Sequence, residues 1–303
     1  MRIAEQYEET GMYSEWCVAL GSFDGVHLGH QKLIRLLVEE SENLKTGSMV
    51  YTFMTHPRKT LTPNKPIYLI TDNRKRAEIL DGFGVDMLFL EDFNKIRHMS
   101  AEDFVKEILL GRFKAKCVVV GYNYRFGCKG DGDAELLKHF GQKYSFKVDV
   151  VEAVEINGHT VSSSLIRHII RSGNVEKVPE YLGRPFSIHG KVVYGKQNGE
   201  VMGIKTANLE VKKDITLPHR GVYHTNTVVG GRTYKSISNI GFNPTFNGGS
   251  LSVETHILDF SGDIYNEEIE VFFLKHRRDE IRFNSMEELV KQIRTDIRDR
   301  LNY

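Results

Sequence analysis

The chain has 303 residues with 41 Lys+Arg against 40 Asp+Glu, a length that suits two domains, each able to bury its own core. So even a charge balance leaves no electrostatic footprint for DNA, RNA or an anionic membrane and favours small-molecule ligands. The opening MRIAEQYEETGM lacks an apolar signal segment, no apolar run approaches the roughly 18 residues of a membrane helix, and an odd set of three cysteines (Cys17, Cys117, Cys128) suits a reducing compartment; a cytoplasmic protein is expected.

From residue 16 to about 152, strand-like apolar runs alternate with helical patterns. The runs are WCVAL at 16–20, MVYTFM at 49–54, VDMLFL at 85–90, CVVVG at 117–121 and KVDVV at 147–151. Helices are predicted after residue 27, after Asp72, after Ser100 and after Asp133, with Ser100 and Asp103 spaced as a capping box. This alternation predicts an α/β domain, a doubly wound parallel sheet of five strands with helices on both faces. Ligands of such sheets sit beyond the carboxyl ends of the strands.

The loop that leaves the first of these strands reads GSFDGVHLGH (21–30). It sets His27 and His30 three residues apart at the start of an amphipathic helix marked by Leu28, Leu33, Ile34, Leu37 and Val38. Unpaired backbone N–H groups and the positive end of the helix dipole favour an anion there. Gly21, Gly25 and Gly29 allow close backbone approach. Three further segments fall at strand ends or a helix start: THP at 55–57, GYNYRFG at 121–127 and SSSLIR at 162–167.

This pattern resembles the HxGH nucleotidyltransferases, and the GxFDGxHxGH form is similar to the adenylylating module of bacterial FAD synthetases. Those enzymes carry PHP, a GxNFxFG-like loop and SSTxIR, so His56, Asn123, Ser163, Ser164 and Arg167 stand at matching positions; Thr55 replaces a proline and Ser164 a threonine. The resemblance implies ATP and FMN as substrates, FAD and pyrophosphate as products, and Mg²⁺ as the accompanying cation. It places His27 and His30 at the α- and β-phosphates, Ser163, Ser164 and Arg167 at the triphosphate tail, Asn123 against nucleotide or metal, and Gly21, Phe23, Gly25, Gly29 and His56 along the nucleotide. Asp24 has two readings, ribose contact or a carboxylate that holds the turn. Phe53, Tyr124 and Phe126 likewise read either as flavin-stacking rings or as core.

After a short helical stretch, residues 163–173 and then 175–183 with Pro179 breaking the pattern, the texture changes. Short β-branched and aromatic runs punctuated by Gly, Asn and Pro predict a closed or sandwiched antiparallel sheet from about residue 184. Met286, Leu289, Ile293, Ile297 and Leu301 predict a final amphipathic helix packed on it. Domains are therefore expected at 1–183 and 184–303.

GIKTANL (203–209) and SVETHILDF (252–260) resemble the PTAN turn and later glutamate of the riboflavin kinase module, as do NIGFNPTF (239–246) and LDFSGDIY (258–265). The resemblance implies a β-barrel kinase in which Glu254 takes the proton of the riboflavin 5′-hydroxyl, while Thr206 and Asn208 offer oxygens to Mg²⁺. By spacing alone Glu254 equally suits a solvated strand face. Lys205 stands where the family has proline, and Glu200 where basic residues are common. Two outcomes stay open: both riboflavin kinase and FMN adenylyltransferase activities, or adenylyltransferase alone with a degenerate barrel. A flavin-sensing nucleic-acid regulator is disfavoured by the missing basic face.

Overall fold

The computed structural model describes residues 1–194, 204–243 and 250–303. The readings that rest on residues 195–203 and 244–249, Glu200 among them, lie outside these. The chain divides into two compact units, Met1–Ile67 with Thr71–Ser163, and Tyr68–Ile70 with Ser164–Tyr303. This is a division by contacts, distinct from the division of chemistry expected at residue 184.

The first unit is built on a six-stranded parallel sheet: β1 (Arg2–Ala4), β2 (Trp16–Leu20), β3 (Gly47–Phe53), β4 (Met87–Glu91), β5 (Ala115–Gly121) and β6 (Lys147–Val151), in the order β1-β4-β3-β2-β5-β6. Five of these are the expected strands. The sixth, β1, was missed because three residues are too few to show a period; it pairs Arg2 with Met87 and Ala4 with Phe89. Helices α1 (Leu28–Leu44), α2 (Asn73–Asp81) and α3 (Ala134–Tyr144) begin on side-chain caps from His27, Asp72 and Asp133. Ser100 caps Ala101–Asp103 as the capping pattern requires, but the chain continues as a π-helix over Phe104–Arg112. Two apolar clusters fill the unit: one around Trp16, Tyr51, Phe89 and Phe104, the other around Ile34, Leu37, Val50 and Leu88.

In the second unit α4 (Ser163–Arg171) is followed by a single turn and the short helix Val178–Leu182. Pro179 lies in the first turn of that short helix, where its missing N–H has no intrahelical acceptor, so it opens the helix rather than breaking one. Six strands then close a barrel: β7 (Phe186–Val193), β8 (Ala207–Glu210), β9 (Gly221–Val229), β10 (Arg232–Asn243), β11 (Ser250–Ile257) and β12 (Glu268–Arg278), in the order β7-β8-β11-β10-β9-β12. Its interior is part apolar and part hydroxylic. Thr225, Thr227, Ser236, Ser238 and Thr255 are fully buried. They satisfy one another through hydrogen bonds of 2.8–2.9 Å.

The final helix, α5 (Met286–Leu301), forms as expected from its Ser285 cap, yet its docking differs from the apolar stripe read in the sequence. Met286 and Leu301 are half exposed, while the buried positions are Asp296 and Arg300. Asp296 accepts from both Nε and Nη2 of Arg278 at 3.1 and 2.8 Å. Arg300 donates to the carbonyls of Thr225 and Ser236 at 3.1 and 3.3 Å. Arg300 is buried because barrel carbonyls need donors, and Asp296 because it pairs with Arg278, while Leu289, Ile293 and Ile297 of the stripe are half-buried.

Candidate active sites

The loop between β2 and α1 is held in an uncommon backbone conformation. Phe23 and Val26 have φ of 48° and 41°, values that side chains with a Cβ rarely adopt, and Gly25 lies at 80°. Three anchors hold it. Asp24 is buried and its carboxylate accepts from the Thr71 N–H at 3.2 Å, while Thr71 Oγ1 accepts from the Gly25 N–H at 3.0 Å. Ser163 Oγ donates to the Asp24 carbonyl at 2.9 Å. These bonds give Asp24 the turn-holding geometry.

A further anchor is Arg76, which the sequence reading passed over. Its buried guanidinium donates to the carbonyls of Ser22 and Phe53 at 2.8 and 3.1 Å, tying the ends of β2 and β3 together, and to Asn73 Oδ1 at 2.8 Å. Burial lowers its pKa to about 10, with Asp24 and Asp72 opposing that shift. The available signal was a charged residue at a core-facing position of α2, four residues after its cap and in step with Leu80.

His27 caps α1. Its Nδ1 accepts from the His30 N–H at 3.3 Å, so a neutral His27 carries its proton on Nε2 as a donor. The rings of His27 and His30 stack 3.6 Å apart at 17°, and Phe23 packs on His30 at 5.2 Å. Burial, then the neighbouring His27 and Arg76, push the His30 pKa well below the ordinary imidazole value. Its Nδ1 is buried with no hydrogen bond among the described residues. The absence of Cβ at Gly29 first serves the loop itself, since an added Cβ would stand 3.2 Å from the His27 ring.

The other expected residues of this site are distributed along the strand ends. His56 caps the short helix Pro57–Leu61, its Nδ1 accepting from the Arg58 N–H at 3.2 Å. Asn123 is exposed just beyond β5. Phe53 is half-buried, edge-on to Phe93 at 5.5 Å. Tyr124 is half-buried and stacks on Phe126 at 5.8 Å; Phe126 itself is core, 6% exposed and packed against Phe104. Ser164 and Arg167 lie on α4 and hydrogen-bond to each other at 3.5 Å.

A second grouping lies on the barrel. Register sets Asn208 directly opposite Glu254 across β8 and β11, and Asn239 opposite Glu254 on the other side. Thr206 precedes β8, half-buried, and Lys205 beside it is exposed. Glu254 points away from the buried hydroxyls, since its neighbours Val253 and Thr255 are the inward-facing residues of β11. A carboxylate flanked by neutral amides suits proton acceptance next to oxygen donors for a hard cation.

Two family descriptions match this chain, FAD synthetase over residues 11–165 and riboflavin kinase over residues 182–303. The bifunctional riboflavin kinase/FMN adenylyltransferase of Pseudomonas fluorescens is 36% identical over 285 residues, 93% of this chain and 91% of that protein. The chain belongs to the bifunctional riboflavin kinase/FMN adenylyltransferase family. Its relative of the same name in Listeria monocytogenes is 34% identical over 286 residues, covering 93% of this chain and 90% of that one. A solved structure described as a macrolide-efflux protein from Streptococcus pneumoniae covers 100% of this chain and 99% of its own, at 31% identity and a TM-score of 0.89. Among the described residues no helix is long and apolar enough to cross a membrane. In this family both modules occur in one chain, which favours two activities over an adenylyltransferase with a silent barrel.

Proposed function

We propose that the chain converts riboflavin to FAD in two steps, phosphorylation to FMN on the barrel and adenylylation of FMN on the N-terminal sheet, and that the division of chemistry falls between residues 1–183 and 184–303. The observation that carries this reading is the conjunction of the two family matches, in order along the chain, with a histidine-capped helix in the first.

In the adenylyl step a phosphate oxygen of FMN attacks the α-phosphorus of ATP, the bond to the bridging oxygen breaks, and pyrophosphate leaves. No hydroxyl loses a proton, so positioning and charge stabilisation carry the rate. His27 supplies an Nε2–H donor at the helix start, where the dipole adds positive potential. His30 is neutral before the nucleotide arrives, and an adjacent phosphate raises its proton affinity, so it enters the reaction as a stronger donor. Gly21, Phe23, Asp24 and Gly25 shape the loop through the bonds described above, and Arg76 holds that shape. Ser163, Ser164 and Arg167 take the triphosphate tail, and His56 and Asn123 the rest of the nucleotide. Phe53 and Tyr124 contact the flavin ring, with Phe126 backing Tyr124.

In the kinase step the riboflavin 5′-hydroxyl gives its proton to Glu254, its oxygen bonds the γ-phosphorus, and ADP departs. Thr206 and Asn208 present only oxygen donors, the class that Mg²⁺ prefers; when bound, Mg²⁺ neutralises phosphate charge. Even charge supports small molecules as the only partners, without nucleic acid or membrane, in the cytoplasm.

The test is direct. Purified protein is incubated with Mg-ATP and either riboflavin or FMN, and flavins are separated by chromatography. FMN and FAD from riboflavin, and FAD from FMN, are expected. FAD from FMN with no product from riboflavin removes the kinase step, and no FAD from either removes the proposal.

A further inference from the structure

The first unit holds a second set of ligand-type side chains, away from the histidines. Cys17 on β2 and Cys117 on β5 are register partners in adjacent parallel strands and fully buried, and Cys17 Sγ accepts from Thr46 Oγ1 at 3.2 Å. Cys117 Sγ donates to Asp149 Oδ2, from the next strand, at 3.6 Å. Glu40 reaches the same place from α1, and the ligand atoms of Glu40, Cys117 and Asp149 all lie within 4.8 Å of one another. Lys147 Nζ bridges the two carboxylates, 2.7 Å from Glu40 and 3.1 Å from Asp149.

We propose that Cys117, Glu40 and Asp149 form a binding site for a thiophilic divalent cation of the Zn²⁺ class. The spacing supports it. With Zn–S of about 2.3 Å and Zn–O of about 2.0–2.2 Å at tetrahedral angles, sulfur and oxygen ligands stand about 3.5 Å apart. The observed separation of Cys117 Sγ and Asp149 Oδ2 is 3.6 Å. The donor set selects the ion: a sulfur with two carboxylates suits Zn²⁺ or Cd²⁺, whereas Mg²⁺ and Ca²⁺ take oxygen alone.

Charge points the same way. Binding displaces one proton from the Cys117 thiol, leaving three anionic ligands with one lysine beside them, and a dication offsets this where a monovalent ion does not. Lys147 currently supplies the positive charge. Its side chain is 47% exposed, so it can turn into solvent when a metal takes the carboxylates. Glu40 follows His30 by ten residues on α1, about 15 Å along the helix at 1.5 Å per residue, so the ion stands apart from the phosphate loop. It joins α1, β5 and β6, and its effect is on the stability of the unit.

The experiment titrates reduced, metal-free, full-length protein with Cd²⁺ while following sulfur-to-metal charge-transfer absorption, and records thermal unfolding with and without Zn²⁺. One equivalent of Cd²⁺ should give the band, and Zn²⁺ should raise the unfolding temperature. The band should vanish in Cys117→Ala, weaken about tenfold or more in affinity in Glu40→Gln, persist in Cys128→Ala, and form more tightly in Lys147→Met. No band at stoichiometric Cd²⁺, or one that survives Cys117→Ala, overturns the proposal. Loss of the band in Cys128→Ala assigns the metal to the loop thiol and also overturns it. Should Cys117→Ala fail to fold, the half-exposed Lys147 gives the decision: unchanged affinity in Lys147→Met rejects the site.

Discussion

His256 donates its Nδ1 proton to the carbonyl of Lys205 at 2.7 Å, tying the segment just before β8 to the end of β11. A carbonyl only accepts, so the bond also fixes the imidazole tautomer. Lys205 occupies the position where related kinases have proline, and this bond restrains a turn that the lysine backbone leaves freer. His256→Ala should therefore raise the KM for ATP in riboflavin phosphorylation about fivefold, the equivalent of one net hydrogen bond. Adenylylation of FMN should be unchanged, as read from separate initial rates with riboflavin and with FMN.

The two activities should separate cleanly by substitution. Glu254→Gln keeps shape and removes the proton acceptor, so riboflavin phosphorylation should fall about 10²–10⁴-fold while FAD formation from FMN persists. His30→Ala should do the reverse, lowering adenylylation about 10²–10³-fold with the kinase rate intact. Loss of both rates in either variant would mean that the chemistry is not divided as proposed.

Arg76 is expected to act through the loop. Arg76→Met removes the donors of two carbonyls, Ser22 and Phe53, inside a buried environment. Each unsatisfied buried acceptor costs about 1–3 kcal/mol, so the first unit should lose about 2–6 kcal/mol in denaturant unfolding. Adenylylation should fall even under conditions where the variant is fully folded.

The stability of the first unit should depend on acid through His30. Its folded pKa lies well below the roughly 6.5 of an unfolded imidazole. Across that interval the unfolded chain binds the extra proton, so stability is fully present above about pH 6.5 and declines as pH falls toward the depressed value. His30→Gln should flatten this limb in unfolding curves recorded between pH 7 and pH 5. Nucleotide binding should also take up protons in wild type below about pH 6.5, measurable by calorimetry in buffers of different ionisation enthalpy.

The parallel sheet and the barrel were legible because their strands are apolar or β-branched runs with ordinary punctuation. The loop between β2 and α1 drew notice in the sequence because two histidines, three glycines and a helix start fall within ten residues. What stayed hidden has a physical reason in each case. Strand β1 is three residues long, and only its pairing to β4 reveals it. Arg76 reads as an ordinary surface charge until the Ser22 and Phe53 carbonyls are seen to converge on it. The role of Asp24 depended on Thr71, 47 residues away. The docking of α5 adds buried Asp296 and Arg300 to the half-buried stripe of Leu289, Ile293 and Ile297, and the carbonyls that Arg300 meets belong to strands far away in sequence.

The barrel closes on itself, but the sheet of the first unit ends at β6, whose outer row of backbone groups has no neighbouring strand in the sheet order among the described residues. Such an edge is a template for another chain's strand. In β6 the sequence KVDVV places Lys147 and Asp149 on one side of the ribbon, so a second molecule adding there would have to bury charge. Neutralising both positions would give an uninterrupted apolar ribbon, and the same five residues would then invite edge-to-edge polymerisation.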